Sequence, residues 1–152
     1  MSRAALGADH VIELGAGTGP VTRELVREHP GTLTVVELQP NLALKLQRRF
    51  PLANILVQPA AQVLDEFVHE PKLYALVSSL PFRSLPDAIR EDTVRSVQEF
   101  LRKNPGSWLV QFTYQPRAPF KAHSDFHWRK HTTVLANFPP AGVWVLKAAQ
   151  AK

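Results

Sequence analysis

The stretch V-I-E-L-G-A-G-T-G-P-V-T-R-E-L, Val11 to Leu25, decides how this chain is read. Val11–Leu14 has the character of a buried strand. It runs into glycines at alternate positions, Gly15, Gly17 and Gly19, and then into an amphipathic run that opens at Pro20. A strand that ends in a glycine-rich turn and starts a helix is a seat for an anion or a cofactor. The glycines let a ligand approach the backbone, and the helix N-terminus offers free N–H groups. A dinucleotide-binding turn reads G-x-G-x-x-G, and the position of its third glycine is held here by Pro20. Glu13 lies within the strand, just before the first glycine. A second acid, Glu37, lies near the end of the next strand-like run, where a carboxylate can bridge two ribose hydroxyls.

Working outward from this stretch, apolar strand-like runs alternate with amphipathic helical runs, the pattern of a mostly parallel α/β sheet. A helix is expected over Pro20–His29, with Pro20 in its first turn and Pro30-Gly31 ending it. Strands follow at Leu33–Leu38, Asn54–Gln58, Leu73–Leu80 and Ser107–Tyr114. Leu42, Leu46 and Phe50 mark a second helix stopped by Pro51, and Val63, Leu64 and Phe67 a short third helix ending before Pro71. Ser84 is expected to cap a fourth helix in a capping-box arrangement with Asp87, with Val94, Val97 and Leu101 on one face and Asn104-Pro105-Gly106 breaking it. Residues 115–131 lack a clear period and are expected to be loop with at most a helical turn. Two last strands are expected near Thr132–Asn137 and Val143–Lys147, joined by a Pro139-Pro140 turn. The expectation is seven strands with four crossover helices.

The chain has 152 residues, which suits one domain spanning 1–152 with one real core. A hydrophobic fraction of 45% argues for a folded protein. There is no cysteine, so disulfides, zinc-thiolate sites and cysteine nucleophiles are excluded. No run is long and apolar enough for a transmembrane helix, and M-S-R-A-A-L-G-A-D-H is not a signal peptide; both fit a cytoplasmic protein. A formal charge of +5 favours an anionic partner: nucleic acid, an anionic membrane surface or a phosphorylated substrate.

With Glu13, the three glycines and Glu37 in place, the sequence resembles the class I S-adenosylmethionine-dependent methyltransferases, whose first motif takes the E-x-G-x-G-x-G form. The resemblance implies a Rossmann-like sheet with helices on both faces and an antiparallel last strand. It implies S-adenosylmethionine as cofactor and S-adenosylhomocysteine as product. It assigns Glu13, Gly15, Gly17 and Gly19 to the methionine end and Glu37 to the ribose. Family members often carry an acid after the third strand, bonded to the adenine amino group. Here that region reads V-Q-P-A-A-Q, with no carboxylate, and either Gln62 or backbone groups are expected to stand in. The exchange weakens binding by about 0.5–1.5 kcal/mol if one hydrogen bond is lost.

Methyl transfer is an in-line displacement, so the acceptor must be aligned and desolvated beside the sulfonium. Amine methyltransferases commonly place an (N/D)-P-P-Y or N-L-P-Y turn after strand four, the latter in the rRNA adenine dimethyltransferases. Here Ser79-Leu80-Pro81-Phe82 holds that place, so a hydroxyl replaces the amide side chain. The pattern S-x-L-P-x-x-x-L-P, with Q-F-T-Y-Q-P-R-A-P (Gln111–Pro119) and N-F-P-P-A-G-V-W-V-L-K (Asn137–Lys147), resembles the bacterial phospholipid N-methyltransferases, which methylate phosphatidylethanolamine. That resemblance implies a lipid ethanolamine acceptor and a location peripheral to the inner face of the cell membrane. Ser79, Pro81 and Phe82 would shape the acceptor turn, Tyr114 would hold a methylated ammonium by cation–π attraction, and Arg117 would take the lipid phosphate. Tyr114 and Phe82 read equally as packing residues. The family also carries an N-terminal helical segment before its first strand. This chain reaches that strand at Val11, so the lid is expected to be largely absent.

The segment Pro116–His131 mixes Arg117, Lys121, Arg129 and Lys130 with Phe120, Phe126 and Trp128. That combination suits a lipid interface, with cations on phosphate and rings at headgroup level, and suits nucleic acid too. A solvated loop with a few packing rings is the plain alternative. His123, His127 and His131 would share a helical face and fit a metal, but no helical period supports the segment and methyl transfer needs none, so no metal is expected. Two competing functions remain at this point: a relative of the rRNA adenine dimethyltransferases, and a non-catalytic binding module that retains the fold.

Overall fold

Alternating periods of two and 3.6 residues build one mixed sheet covered by helices. A computed structural model describes residues 2–29, 31–134 and 141–149 of the chain. The strands are β1 (His10–Leu14), β2 (Thr32–Val36), β3 (Asn54–Leu56), β4 (Tyr74–Ser78), β5 (Trp108–Thr113), β6 (Phe126–Val134) and β7 (Ala141–Ala148). The helices are α1 (Pro20–Glu28), α2 (Pro40–Arg49), α3 (Ala60–Asp65) and α4 (Asp87–Lys103), and a 3₁₀ turn at Ser2–Ala5 precedes β1. Strand order is β3-β2-β1-β4-β5-β7-β6. The first five strands pair in parallel, and β7 inserts antiparallel between β5 and β6. This is the Rossmann-like arrangement with an antiparallel last strand that the family resemblance implies.

Alternation along β1 divides the core. Ile12 and Leu14 point to one face, with Leu76 and Leu109 and the inner sides of α3 (Val63, Leu64) and α4 (Val97, Phe100, Leu101). Val11 points to the other, with Val35, Val77 and Val110 beneath Leu25 of α1 and Leu46 of α2. Strands covered on both faces read as nearly continuous apolar runs, as V-I-E-L and Y-A-L-V-S do here. Truncating one such core leucine to alanine costs about 2–5 kcal/mol. No helix of the described residues is long and apolar enough to cross a membrane.

Several expected boundaries move, each for a local reason. Strand β2 stops at Val36, because its carbonyl takes the amides of Gly15 and Ala16 and Glu37 turns back toward them. β3 is shorter than expected, since its pairing partner ends at Val36, register mate of Leu56. β4 ends at Ser78 rather than Leu80; after the Ser79 amide bonds the Leu14 carbonyl, the chain turns into Pro81, which has no N–H to continue a ladder. Phe67 lies beyond the end of α3 and packs its ring on Tyr74 and Phe100 from the following irregular segment.

Two expectations are corrected outright. Ser84 does not cap α4: residues 81–85 close a turn in which the Ser84 and Leu85 amides both bond the Pro81 carbonyl, so the helix starts at Asp87 with Pro86 in the capping position. Residues 126–131 are not loop: β6 begins at Phe126, and the alternation sends Phe126 inward and leaves His127 and Arg129 exposed. The sixth strand was expected only from Thr132; its paired face is shared by single aromatic residues, a weaker signal than a β-branched run. The Pro139-Pro140 turn and Asn137 lie outside the described residues.

Candidate active site

The order of the strands places the site. From β1 the chain winds outward through β2 and β3, then returns to build β4 and β5 on the other side of β1. Ligands bind parallel sheets where such a reversal opens a crevice at the carboxyl ends of the strands. Leu14 and Ser78 are register partners there, so the glycine loop after β1 and the turn after β4 leave the sheet side by side.

The three glycines have left-handed backbones but do different things. A Cβ built on Gly17, at φ +58, meets no atom within 4 Å. One built on Gly19 would lie 2.7 Å from Leu46 Cδ2 and 3.0 Å from Phe50 Cε2, so Gly19 is what lets α1 and α2 pack. One built on Gly15 would lie 2.5 Å from Leu80 Cδ2, so the acceptor-side turn leans its leucine onto the glycine loop. Glu37 secures the open stretch: its Oε2 accepts the Gly17 amide at 2.7 Å and its Oε1 the Gln39 amide at 2.9 Å. Each oxygen keeps a lone pair for a further donor. Glu13, only 1% exposed, stands beneath the loop. Its Oε2 accepts the Thr22 hydroxyl of α1 at 2.7 Å, while its Oε1 is buried without a partner. Burial pushes its carboxyl up to about 7, against the lowering effect of the Thr22 bond.

On the other side of the loop lies a hollow of about 610 Å³. Ser79, Pro81, Phe82 and Tyr114, the four residues expected on the acceptor side, all line it, together with Pro20, Val21 and Val143. Phe82 is 2% exposed and its ring lies 4.9 Å from that of Phe120, so it anchors the turn in the core as well as walling the hollow. Tyr114 is half exposed one residue past β5, edge-on to Phe112 with ring centroids 5.1 Å apart. The charged side chains on the wall are Glu24 and Arg83. The Arg83 guanidinium donates one bond, at 2.7 Å, to the Ala118 carbonyl, which ties the turn to the loop after β5.

Other expected residues stand apart. Arg117 is exposed on the loop after β5 and does not line the hollow. Gln62 is exposed in the first turn of α3, where its amide bonds Glu66 at 3.1 Å. The aromatic part of the 116–131 segment faces the protein: Phe120 and Phe126 are buried, and the Trp128 indole donates to the Phe120 carbonyl at 3.0 Å. The cations of that segment, Arg117, Lys121, Arg129 and Lys130, are exposed while Phe120 and Phe126 are not, so those two expected rings are not at headgroup level. Strand alternation turns Phe126 inward, and Phe120, which precedes β6, is held by its ring contacts with Phe82 and Trp128. The three histidines share no helix, and among the described residues no cluster of His, Cys, Asp or Glu is arranged to hold a metal.

Sequence reasoning passed over Gln111, Thr22 and Arg83. Gln111 had a visible signal, a lone amide in the apolar run W-L-V-Q-F-T of a central strand. It is 1% exposed, lines the hollow, and donates from Nε2 to the Leu80 carbonyl at 2.9 Å and the Phe112 carbonyl at 2.8 Å. Thr22 bonds Glu13 across the turn between β1 and α1, and Arg83 bonds the Ala118 carbonyl from a distant part of the chain; neither bond leaves a period in the sequence.

No family model matches the chain. The ornithine lipid N-methyltransferase of Singulisphaera acidiphila is 32% identical to it over 150 residues, covering 92% of this chain and 76% of that protein. Among solved structures, the TehB-like S-adenosylmethionine-dependent methyltransferase of Corynebacterium glutamicum superposes with a TM-score of 0.67 at 14% identity, over 97% of this chain and 84% of that one. The 23S rRNA methyltransferase ErmE gives 0.63 at 18% identity, and an rRNA methylase of Streptococcus thermophilus 0.61 at 16%. The matches cover 97% and 98% of this chain; it spans 65% of the ErmE chain and 92% of the Streptococcus one. At such identities these structures speak for the fold alone.

Proposed function

The chain belongs to the class I S-adenosylmethionine-dependent methyltransferases, as an N-methyltransferase related to the Singulisphaera lipid enzyme, and from that premise we propose that it methylates the primary amine of a membrane lipid. The phosphatidylethanolamine headgroup expected from the sequence and the ornithine headgroup named for the relative both present such an amine. The observation that carries the reading is the convergence of Ser79, Pro81, Phe82 and Tyr114 on one largely apolar hollow directly beside the glycine loop. An apolar wall with one acid and one arginine suits a small charged headgroup attached to acyl chains.

The residues fit the cofactor. The space over Gly17 would be filled by any side chain, and Glu37, anchored by two amides, has lone pairs left for two hydroxyls. Bound there, S-adenosylmethionine supplies an electrophilic methyl group and leaves as S-adenosylhomocysteine. Glu13 acts from below, holding α1 to the loop through Thr22 and offering a carboxyl that is half ionised near neutrality to the positively charged methionine end. Gln62 is the candidate for the adenine edge. On the acceptor side the Ser79 hydroxyl and the turn backbone orient the amine, which must reach the site unprotonated to attack. The face of Tyr114 steadies the ammonium product. Arg83 on the wall receives the anionic part of the headgroup, and Arg117, exposed on the loop after β5, contributes to the surface charge. Exposed cations Arg117, Lys121, Arg129 and Lys130 draw the protein to an anionic leaflet, each worth about 1 kcal/mol near the surface. The proposed location is the cytoplasmic face of a membrane.

The test is transfer of labelled methyl from S-adenosylmethionine to vesicles of phosphatidylethanolamine or ornithine lipid, with rRNA as a parallel acceptor. Label in a lipid amine supports the proposal. Label in rRNA alone, or cofactor binding with no transfer to either lipid, sinks it.

A further inference from the structure

Leu80 is where the two halves of the site meet. Its side chain occupies the space that Gly15 leaves open, and both of its backbone polar groups are gripped from beneath. Ser78 on β4 and Gln111 on β5 are register partners. Ser78 Oγ accepts the Leu80 amide at 3.2 Å, and Gln111 Nε2 donates to the Leu80 carbonyl at 2.9 Å. The Phe82 amide donates to the same carbonyl, also at 2.9 Å. A carbonyl has two lone pairs, and both are therefore taken.

This matters because the turn carries Ser79 where an amide side chain stands in the related N-L-P-Y turns, which exchanges a fixed amide oxygen for a rotatable hydroxyl. The Leu80 carbonyl is occupied and the Pro81 carbonyl is taken by the Ser84 and Leu85 amides, whereas the Ser79 hydroxyl makes no hydrogen bond among the described residues and its side chain lines the hollow. Burying an amide in a central strand is costly unless its donors are paired. Gln111 pairs both of its N–H groups, and both go to carbonyls that frame the hollow. Its Oε1 and the Trp144 indole N–H, a donor at the neighbouring register position on β7, are both buried without partners and are complementary. A row of polar groups thus runs across β4, β5 and β7 under the turn.

We propose that Gln111 is the positioning residue of the acceptor turn: its amide holds Leu80 against the glycine loop and, by occupying the Leu80 carbonyl, leaves Ser79 to orient the acceptor amine. The inference rests on the reading of the strand-four turn as the acceptor turn. It goes beyond that reading in naming the group that sets the turn's shape.

The decisive variants are Gln111→Met and Gln111→Glu, compared with the wild-type chain. Gln111→Met keeps the volume and removes the donors. It should lower kcat about 30-fold while cofactor Kd stays within about threefold, the signature of lost alignment rather than lost binding. Gln111→Glu turns two acceptor oxygens toward two carbonyls when ionised, but its protonated form can donate an O–H to Leu80. The ratio of variant to wild-type kcat should therefore rise about tenfold or more as pH falls from 9 to 6. A side chain that merely fills space gives a flat ratio. Hydrogen exchange at the Leu80 and Phe82 amides, measured without substrate, should quicken in the Met variant. A flat pH ratio, or a Met variant with wild-type kcat and unchanged exchange, overturns the proposal. A wild-type chain inactive on both lipids overturns the lipid reading instead, and the exchange measurement then judges Gln111 alone.

Discussion

The glycine loop and the acceptor turn leave neighbouring strands within hydrogen-bonding distance of each other, yet they are built differently. The loop is assembled by residues close in sequence: Glu13, Gly17, Thr22 and Glu37 hold one another through bonds spanning no more than 20 positions. The hollow beside it draws its wall from α1, the β4 turn, the end of β5 and Val143 of β7. The first is built across the β1–α1 turn and the neighbouring end of β2. The second exists only when strands far apart in sequence pair in register. The difference separates two kinds of fragility, one toward loss of cofactor and one toward loss of alignment.

Gly17 and Gly19 provide the sharpest contrast. Gly17→Val fills an open hollow with a β-branched side chain at φ +58. Cofactor affinity should fall more than about 100-fold by calorimetric titration, while strain at such a backbone removes only about 1–3 kcal/mol of stability. Retained binding would show that the hollow over Gly17 is not the cofactor seat. Gly19→Ala places a methyl against Leu46 and Phe50, adding overpacking to the backbone strain. It should cost about 2–4 kcal/mol in urea unfolding, and the folded fraction should still bind cofactor. A stable variant would mean that α2 slides away freely.

A smaller effect follows from Glu13. Its folded-state carboxyl is raised to about 7 by burial, above the ordinary value of 4.5. The folded state then holds one more proton than the unfolded state between those values. Stability from this group is complete below about pH 4.5 and is lost as pH rises through 7. Glu13→Gln keeps an acceptor for Thr22 and removes the titration. Relative to the variant, the wild-type chain should lose about 2–3 kcal/mol between pH 4.5 and 8, read from denaturant midpoints. Parallel pH curves would refute the buried carboxyl. The smallest effect belongs to Tyr114, whose side chain is half in solvent. Cation–π attraction at an exposed ring is worth about 0.5–1 kcal/mol, so Tyr114→Ala should raise the KM for a partly methylated lipid about two- to fivefold. Tyr114→Phe should behave as wild type; a variant that matches alanine would make the hydroxyl, not the ring, the contributor.

Much of the fold was legible because its periods are strong. The buried strands V-I-E-L, T-L-T-V-V and Y-A-L-V-S and the breaks at Pro51 and Asn104 mark the alternation directly. What misled was local resemblance without tertiary context. Ser84 and Asp87 have capping-box spacing, but the Ser84 and Leu85 amides close a separate turn on the Pro81 carbonyl ahead of α4, and Pro86 takes the capping position. The rings of 116–131 have the composition of an interface, but β6 pairs with β7 and turns Phe126 inward, and Phe120 is buried against Phe82. Arg117 was chosen by its neighbours in sequence, whereas the arginine on the wall of the hollow is Arg83, brought there by the turn after β4.

The sequence by itself determined the glycine loop, its two acids and the αβ alternation, because each is written in residues that act on near neighbours through backbone conformation and hydrophobic period. Only the tertiary structure decided that the acceptor hollow opens beside that loop, that Leu80 closes over Gly15 and that Gln111 reaches the Leu80 carbonyl. Those contacts depend on strand order and register, and a pairing between β4 and β5 across 33 residues leaves no period in the chain for a reader to find.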